Sequence, residues 1–206
     1  MTGEPPAGQG AADAGAASPE AASHGAASHG GAGHGGAGHG GDGPTKIRAL
    51  AVTVSNRAAA GVYEDRSGPV LVRLLAEAGC LVDGPLVVPD GSPVEMALWD
   101  AIGAGYHVVV TTGGTGLTPG DLTPEMTRRV LDREIPGIAE AIRAAGVAGG
   151  VPAAMLSRGV AGLAGGVLIV NLAGSTGGVR DGMAVLAPVL RHAVDQAHGG
   201  DHSRPA

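Results

Sequence analysis

Three short runs of aliphatic, largely β-branched residues punctuate the chain: IRALAVTVS at 47–55, HVVVTT at 107–112 and VLIVNLA at 167–173. Runs of this length with so few polar residues read as strands buried on both faces, and such strands belong to parallel sheets covered by helices. The intervening stretches have the matching period. GPVLVRLLAEAG (68–79) places Val70, Leu71, Leu74, Leu75 and Ala78 on one helical stripe, with Gly79 as its stop. LVDGPLVV (81–88) is a further strand candidate, and SPVEMALWDAIGAG (92–105) a helix with Ser92 as N-cap, Pro93 at its first position and Glu95 closing a capping box.

TPEMTRRVLDRE (123–134) predicts a helix with Thr123 as N-cap and Pro124 at its first position, and GIAEAIRAAG (137–146) a shorter one. AAMLSRGVAG (153–162) reads as an irregular or edge strand, and 179–198 as a terminal helical region that Pro188 should kink or split. The alternation predicts an α/β domain with a mainly parallel sheet, joined by right-handed crossovers.

Residues 1–44 carry almost no large apolar side chain after Met1, so they cannot bury enough surface to offset chain entropy and are expected to be disordered. The domain is expected over 45–198, with a second disordered tail at 199–206. Within the first tail His24, His29, His34 and His39 recur every five residues, either as a flexible tract of biased composition or as a low-affinity site for Zn, Ni or Cu. Cys80 is alone, which excludes an intramolecular disulfide, and it falls at a helix-to-strand junction as a structural residue. A net charge of −6 and a near absence of aromatic residues argue against a nucleic-acid surface. No signal-peptide pattern and no 18-residue apolar run is visible, so a soluble, cytoplasmic protein without a membrane partner is expected.

In parallel sheets ligands sit outside the carboxyl ends of the strands. Four such ends carry unusual residues: Ser55-Asn-Arg57, Val88-Pro-Asp-Gly91, Thr111 to Asp121, and Asn171 to Gly178. Asp90-Gly-Ser-Pro93 and Asp121-Leu-Thr-Pro124 each place a carboxylate shortly before a helix. Two carboxylates on one rim could hold a hydrated Mg²⁺ against phosphate oxygens, or each could simply support its turn. Between them, TTGGTG (111–116) matches neither the Walker A nor the dinucleotide fingerprint, which makes an NAD-type binder improbable. Gly113, Gly114 and Gly116 nevertheless allow backbone N–H groups to approach an anion, and Thr112 and Thr115 add hydroxyls.

TTGGTG followed by Asp121-Leu-Thr-Pro-Glu125 resembles the signature of the Mog/MoaB family of molybdenum-cofactor biosynthesis proteins, whose domain also occurs in gephyrin. VTVSNRAAAGVYEDRSGP (52–69), VVPDG (87–91), DREIPGIAEAIR (132–143), AMLSRGVAG (154–162) and VNLAGSTGGVRDG (170–182) extend the resemblance in the expected order. It implies a three-layer α/β/α molybdopterin-binding domain, a homotrimer, and transfer of AMP from Mg-ATP to the terminal phosphate of molybdopterin with release of pyrophosphate. A molybdenum-insertion protein is the downstream partner it implies. Asp90 and Asp121 match the family's two functional aspartates and are assigned to Mg²⁺ and nucleotide positioning, with Gly113 to Gly116 as the phosphate cradle. Ser55, Ser157, Arg158, Gly174 and Ser175 are the further pterin or phosphate contacts it suggests.

The chain departs from the family at three points. Gly120 stands where many members have Arg, so one phosphate contact is either missing or supplied by Arg57, Arg66 or Arg158; Ala173 replaces a common Pro, and Asn56 a frequent Asp. The alternative function is a module of the same family that holds or hands on the pterin without catalysis.

Overall fold

The computed structural model describes residues 44–199. Both proposed tails, and with them the His24–His39 tract, lie outside the described residues apart from Pro44 and Gly199. The chain folds as β1 (Ile47–Val54), α1 (Asn56–Ala59), α2 (Ser67–Glu77), β2 (Cys80–Val88), α3 (Ser92–Gly103), β3 (Val108–Thr112), α4 (Thr123–Val130), β4 (Arg133–Glu134), α5 (Pro136–Ala148), a 3₁₀ turn (Pro152–Leu156), β5 (Ala161–Ala164), β6 (Val167–Leu172) and α6 (Thr176–Ala197).

These strands form one six-stranded sheet in the order β2-β1-β3-β6-β5-β4. The first four run parallel and the last two antiparallel, so the expected mainly parallel sheet is present. All five residues of β3 and all six of β6 are buried, as strands covered on both faces must be. One face packs Leu71 and Leu75 of α2 with Val179, Met183, Leu186, Leu190 and Val194 of α6. The other packs Val94, Leu98 and Ala101 of α3 with Met126 and Val130 of α4. Helix, sheet and helix make the three layers.

Several elements differ from the sequence reading. The helix from Thr123 stops at Val130 rather than at 134, because the next backbone groups pair with β5: Asp132 N–H donates to Leu163 O at 2.9 Å and Ile135 N–H to Ala161 O at 2.7 Å. The 153–162 stretch divides into the 3₁₀ turn and the start of β5, which lies between β6 and β4 and is not an edge. α6 begins at Thr176 and continues unbroken past Pro188. Leu186 and Leu190, almost completely buried on either side, anchor both halves against the sheet and hold the helix through the missing hydrogen bond. Neither helix cap is as expected: Gly91 and Leu122 are the N-caps of α3 and α4, so Ser92 and Thr123 are the first helical residues and Glu95 pairs with Arg129 instead.

Cys80 opens β2 just after α2, buried, and burial pushes its thiol pKa up against the opposing pull of Arg191. No helix among the described residues is long and apolar enough to cross a membrane.

Candidate phosphate-binding rim

Parallel pairing brings the carboxyl ends of β1, β2, β3 and β6 to one edge. The register aligns Val54 with Val88, Thr53 with Thr112, and Thr112 with Leu172, so Ser55, Asp90, Gly113 and Gly174 follow from adjacent strand ends.

The glycine loop leaves β3 across a crowded floor. A β-carbon on Gly113 would lie 2.2 Å from Val54 O, and its φ of +107° is one few side chains adopt. Its N–H donates to Leu172 O at 3.1 Å, and Gly114 O accepts from Thr123 N–H at 3.2 Å. Among the described residues, the N–H groups of Gly114, Thr115 and Gly116 reach no protein acceptor. Of the two hydroxyls expected to join them, that of Thr112 donates within the protein, whereas that of Thr115 accepts. Thr112 Oγ1 donates to Ala173 O at 2.8 Å, and Thr115 Oγ1 accepts from Ser157 Oγ at 3.3 Å. The backbone N–H groups, with the Thr115 hydroxyl hydrogen that reaches no acceptor among the described residues, are the donors this loop can offer an anion.

The two aspartates flank that backbone. Asp90 Oδ1 accepts from Gly91 N–H at 2.7 Å and Thr123 Oγ1–H at 3.2 Å, while Oδ2 accepts from Leu122 N–H at 3.2 Å. Thr123 thus caps nothing on its own helix, because its hydroxyl serves Asp90. Asp121 Oδ2 accepts from the Thr118 hydroxyl at 2.6 Å and its N–H at 3.0 Å, which closes the 118–121 turn without needing Oδ1. A β-carbon on Gly116 would lie 2.8 Å from Asp121 Oδ2, so that carboxylate adjoins the loop.

Arg158 fastens the outer side. Its backbone N–H donates to Thr115 O at 2.9 Å, its Nε to Gly116 O at 2.7 Å, and its terminal nitrogens to Asp121 O and Glu125 Oε1. The guanidinium so holds both ends of the segment that carries Asp121. Burial raises the Glu125 pKa, but its own backbone N–H, Arg158 and Arg128 outweigh this and hold it below the usual range. Glu125 Oε2 is buried without a partner among the described residues. Ser175 caps α6 by accepting from Gly178 N–H at 3.0 Å, and Ser55 caps α1 by accepting from Ala58 N–H at 3.2 Å.

Two cavities meet at Gly113, Gly114, Gly174 and Ser175. One, of about 460 Å³, lies towards β1 and is lined by Ser55, Tyr63, Asp65, Arg66 and Ser67. The other, of about 590 Å³, is lined by Asp121 and Ser157 and by an apolar wall of Leu117, Val151 and Leu156. Every residue proposed from sequence except Asp90, Arg57 and Arg158 lines one or both.

Sequence reasoning missed Asp65, and it marked Asn171 only as the start of an unusual strand end, without a role. Asp65 Oδ2 accepts from Thr53 Oγ1–H at 2.7 Å, and Oδ1 from Ser67 N–H at 3.0 Å and Gly68 N–H at 2.9 Å, fixing the start of α2. Its signal was visible: Asp65-Arg-Ser67 repeats the spacing of Asp90-Gly-Ser92 and Asp121-Leu-Thr123. Asn171, buried, donates to Thr111 Oγ1 and Thr127 Oγ1, both at 3.0 Å, and accepts from Val160 N–H at 3.2 Å. Nothing local reveals that role, since its partners are remote in sequence.

The donor set suits Mg²⁺ bound through substrate phosphates. Among the described residues no group of three ligands forms a protein cage, and Mg²⁺ commonly takes only one or two carboxylates beside phosphate oxygens. Asp121 offers an oxygen its turn does not need, and Asp90, with three donors on about four lone-pair sites, retains one.

Comparison with known proteins gives a consistent result. Residues 50–192 match a family model described as "Probable molybdopterin binding domain". The molybdopterin biosynthesis Mog protein of Mycobacterium ulcerans is 51% identical, with a TM-score of 0.70 over 73% of this chain and 99% of that one. A molybdopterin adenylyltransferase of Haemophilus influenzae is 44% identical over 115 residues, 53% of this chain and 57% of its own length. Molybdenum cofactor biosynthesis protein B of Bacillus cereus is 35% identical over 162 residues, 75% of this chain and 93% of its own length. The matches span about half the length of the first curated relatives, 48% and 50% of two bifunctional molybdenum cofactor biosynthesis proteins.

Proposed function

The chain belongs to the Mog/MoaB family of molybdopterin-binding domains, and from that membership we propose that it acts in molybdenum cofactor biosynthesis, transferring AMP from Mg-ATP to the terminal phosphate of molybdopterin. One observation carries the reading: the unengaged N–H groups of Gly114, Thr115 and Gly116 lie between Asp90 and Asp121, beside two confluent cavities. Two cavities meeting at one phosphate-binding loop suit a reaction that joins two phosphorylated substrates.

A phosphate monoester is already a competent nucleophile, so the chain needs mainly to align it with the α-phosphorus and to neutralise charge. The Gly114–Gly116 amides supply fixed donors, which lose no reorganisation energy as charge develops. Asp90 and Asp121 are the proposed Mg²⁺ ligands, Asp121 through Oδ1 and Asp90 through its remaining lone pair. Bound there, Mg²⁺ would supply charge neutralisation on the phosphates. Ser55, Ser157, Gly174 and Ser175 line the cavities as proposed substrate contacts. Arg158 enters the proposal through its hold on Asp121, since its donors are engaged by the loop. The homotrimer, a cytoplasmic location and a molybdenum-insertion partner belong to the same proposal.

Incubation with molybdopterin, ATP and Mg²⁺ should give adenylylated molybdopterin and pyrophosphate. Asp121→Asn retains an acceptor for the Thr118 turn but loses the negative charge, so transfer should fall on the order of 10²-fold or more while the unfolding midpoint stays in place. Full activity in that variant would remove Asp121 from the reaction. Pterin binding without ATP binding in the unaltered chain would favour the carrier function.

A further inference from the structure

Arg66 and Tyr63 line the cavity beside β1, and Arg57 shares the Tyr63 ring, so two cations stand there that the candidate rim does not use. Arg57, in α1, and Arg66, directly before α2, place their guanidinium carbons 5.1 and 5.8 Å from the centroid of one ring, that of Tyr63. Both arginines are exposed, and neither lies within ion-pair distance of a carboxylate among the described residues. Of the two adjacent acids, Asp65 is engaged by Thr53, Ser67 and Gly68, and Glu64 is exposed and forms no ion pair with either arginine. Among the described residues, Arg66 is also the one lysine or arginine side chain lining either of the two cavities that meet at Gly113 and Gly114.

Two like charges drawn to one aromatic ring repel each other, and the ring's quadrupole offsets this only in part. A multiply charged oxyanion within reach of both offsets the repulsion and gains charge-assisted hydrogen bonds from two planar forks. Depth then separates the parts of a nucleotide. The backbone donors and Asp90 follow the strand ends, while the arginines are exposed on a ring that is itself 47% exposed.

We infer that Arg57 and Arg66, held over Tyr63, bind the β- and γ-phosphates of the nucleotide and receive the departing pyrophosphate. The inference rests on the proposed adenylyl transfer. In that step a monoester oxygen bonds to the α-phosphorus, the bond from the α-phosphorus to the bridging α,β-oxygen breaks, and its electron pair leaves with pyrophosphate. Charge and atoms balance without a redox partner, and the two arginines meet the charge where it accumulates.

The test is calorimetry on the full chain with Mg²⁺, titrating ATP, pyrophosphate and AMP separately, for Arg57→Ala, Arg66→Ala and Arg66→Lys. Each alanine variant should bind ATP and pyrophosphate about tenfold or more weakly, as loss of a charged hydrogen-bond donor predicts, with AMP affinity little changed. Arg66→Lys should recover part of the loss. In the transfer assay, the constant for product inhibition by pyrophosphate should rise by the same factor. Unchanged pyrophosphate affinity in both folded alanine variants overturns the inference, as does an equal loss for AMP, which would put the arginines on the base or α-phosphate. A chain that binds ATP through these arginines yet transfers no AMP would sustain the β,γ-phosphate site but refute the reaction and, with it, the pyrophosphate role.

Discussion

At Gly114 a β-carbon would lie 2.1 Å from both Asp90 Oδ2 and Thr123 Oγ1, on a residue whose φ is +63°. Gly114→Ala should therefore destabilise the domain by about 2–4 kcal/mol, combining left-handed backbone strain with overpacking. Urea unfolding measures this, and a midpoint equal to wild type would mean that Asp90 and Thr123 move aside at no cost. The same clash explains why the loop's composition was readable while its contacts were not. Glycine advertises backbone freedom, but hydroxyl direction depends on what stands opposite. Thr112 meets Ala173 O and Thr115 meets Ser157, neither of which is local.

Between elements, Arg158 and Asn171 act as cross-ties. Arg158 joins the segment before β5 to the loop after β3 and to Glu125 of α4, and Asn171 joins β6 to β3 and α4. Arg158→Lys keeps a positive charge near Glu125 but cannot reproduce a planar fork that reaches Gly116 O, Asp121 O and Glu125 together. AMP transfer should fall on the order of 10²-fold through misplacement of Asp121, with near-UV circular dichroism close to wild type. Unaltered kcat and KM in that variant would show that the strap does not position the loop. Helix boundaries follow the same logic. Periodicity found α2 and α3 nearly to the residue, whereas the helix from Thr123 ends early because Asp132 and Ile135 find backbone partners on β5, a pairing no local window contains.

Across the whole molecule, the sheet keeps the proposed site apart from its opposite edge. The rim gathers at the carboxyl ends of the strands, and at the other end His107, just before β3, accepts from Arg48 N–H through Nδ1 at 2.9 Å. Burial, then the neighbouring charges of His198, Arg48 and Arg191, lower the His107 pKa from 6.5. The unfolded chain therefore binds this proton more readily. The contribution to stability is present above pH 6.5 and is lost as pH falls from there through the folded-state value. Thermal melts from pH 8 down to pH 5 should show the decline, and His107→Asn should flatten that part of the profile. The five residues of β3 put roughly 16 Å between His107 and the rim, so ATP affinity should not follow this titration.

The alternation of buried runs and helical stripes, the glycines after β3 and the two aspartates before helices were set by the sequence alone. Each depends on a local period or on the conformational limits of one residue type. Tertiary structure decided the strand order, the antiparallel β4 and β5, the engagement of Thr112, Thr115 and Thr123 with protein partners, and the convergence of Arg57 and Arg66 on Tyr63. Those features follow from which groups meet when the sheet closes, and a polar side chain takes the partner that burial brings to it.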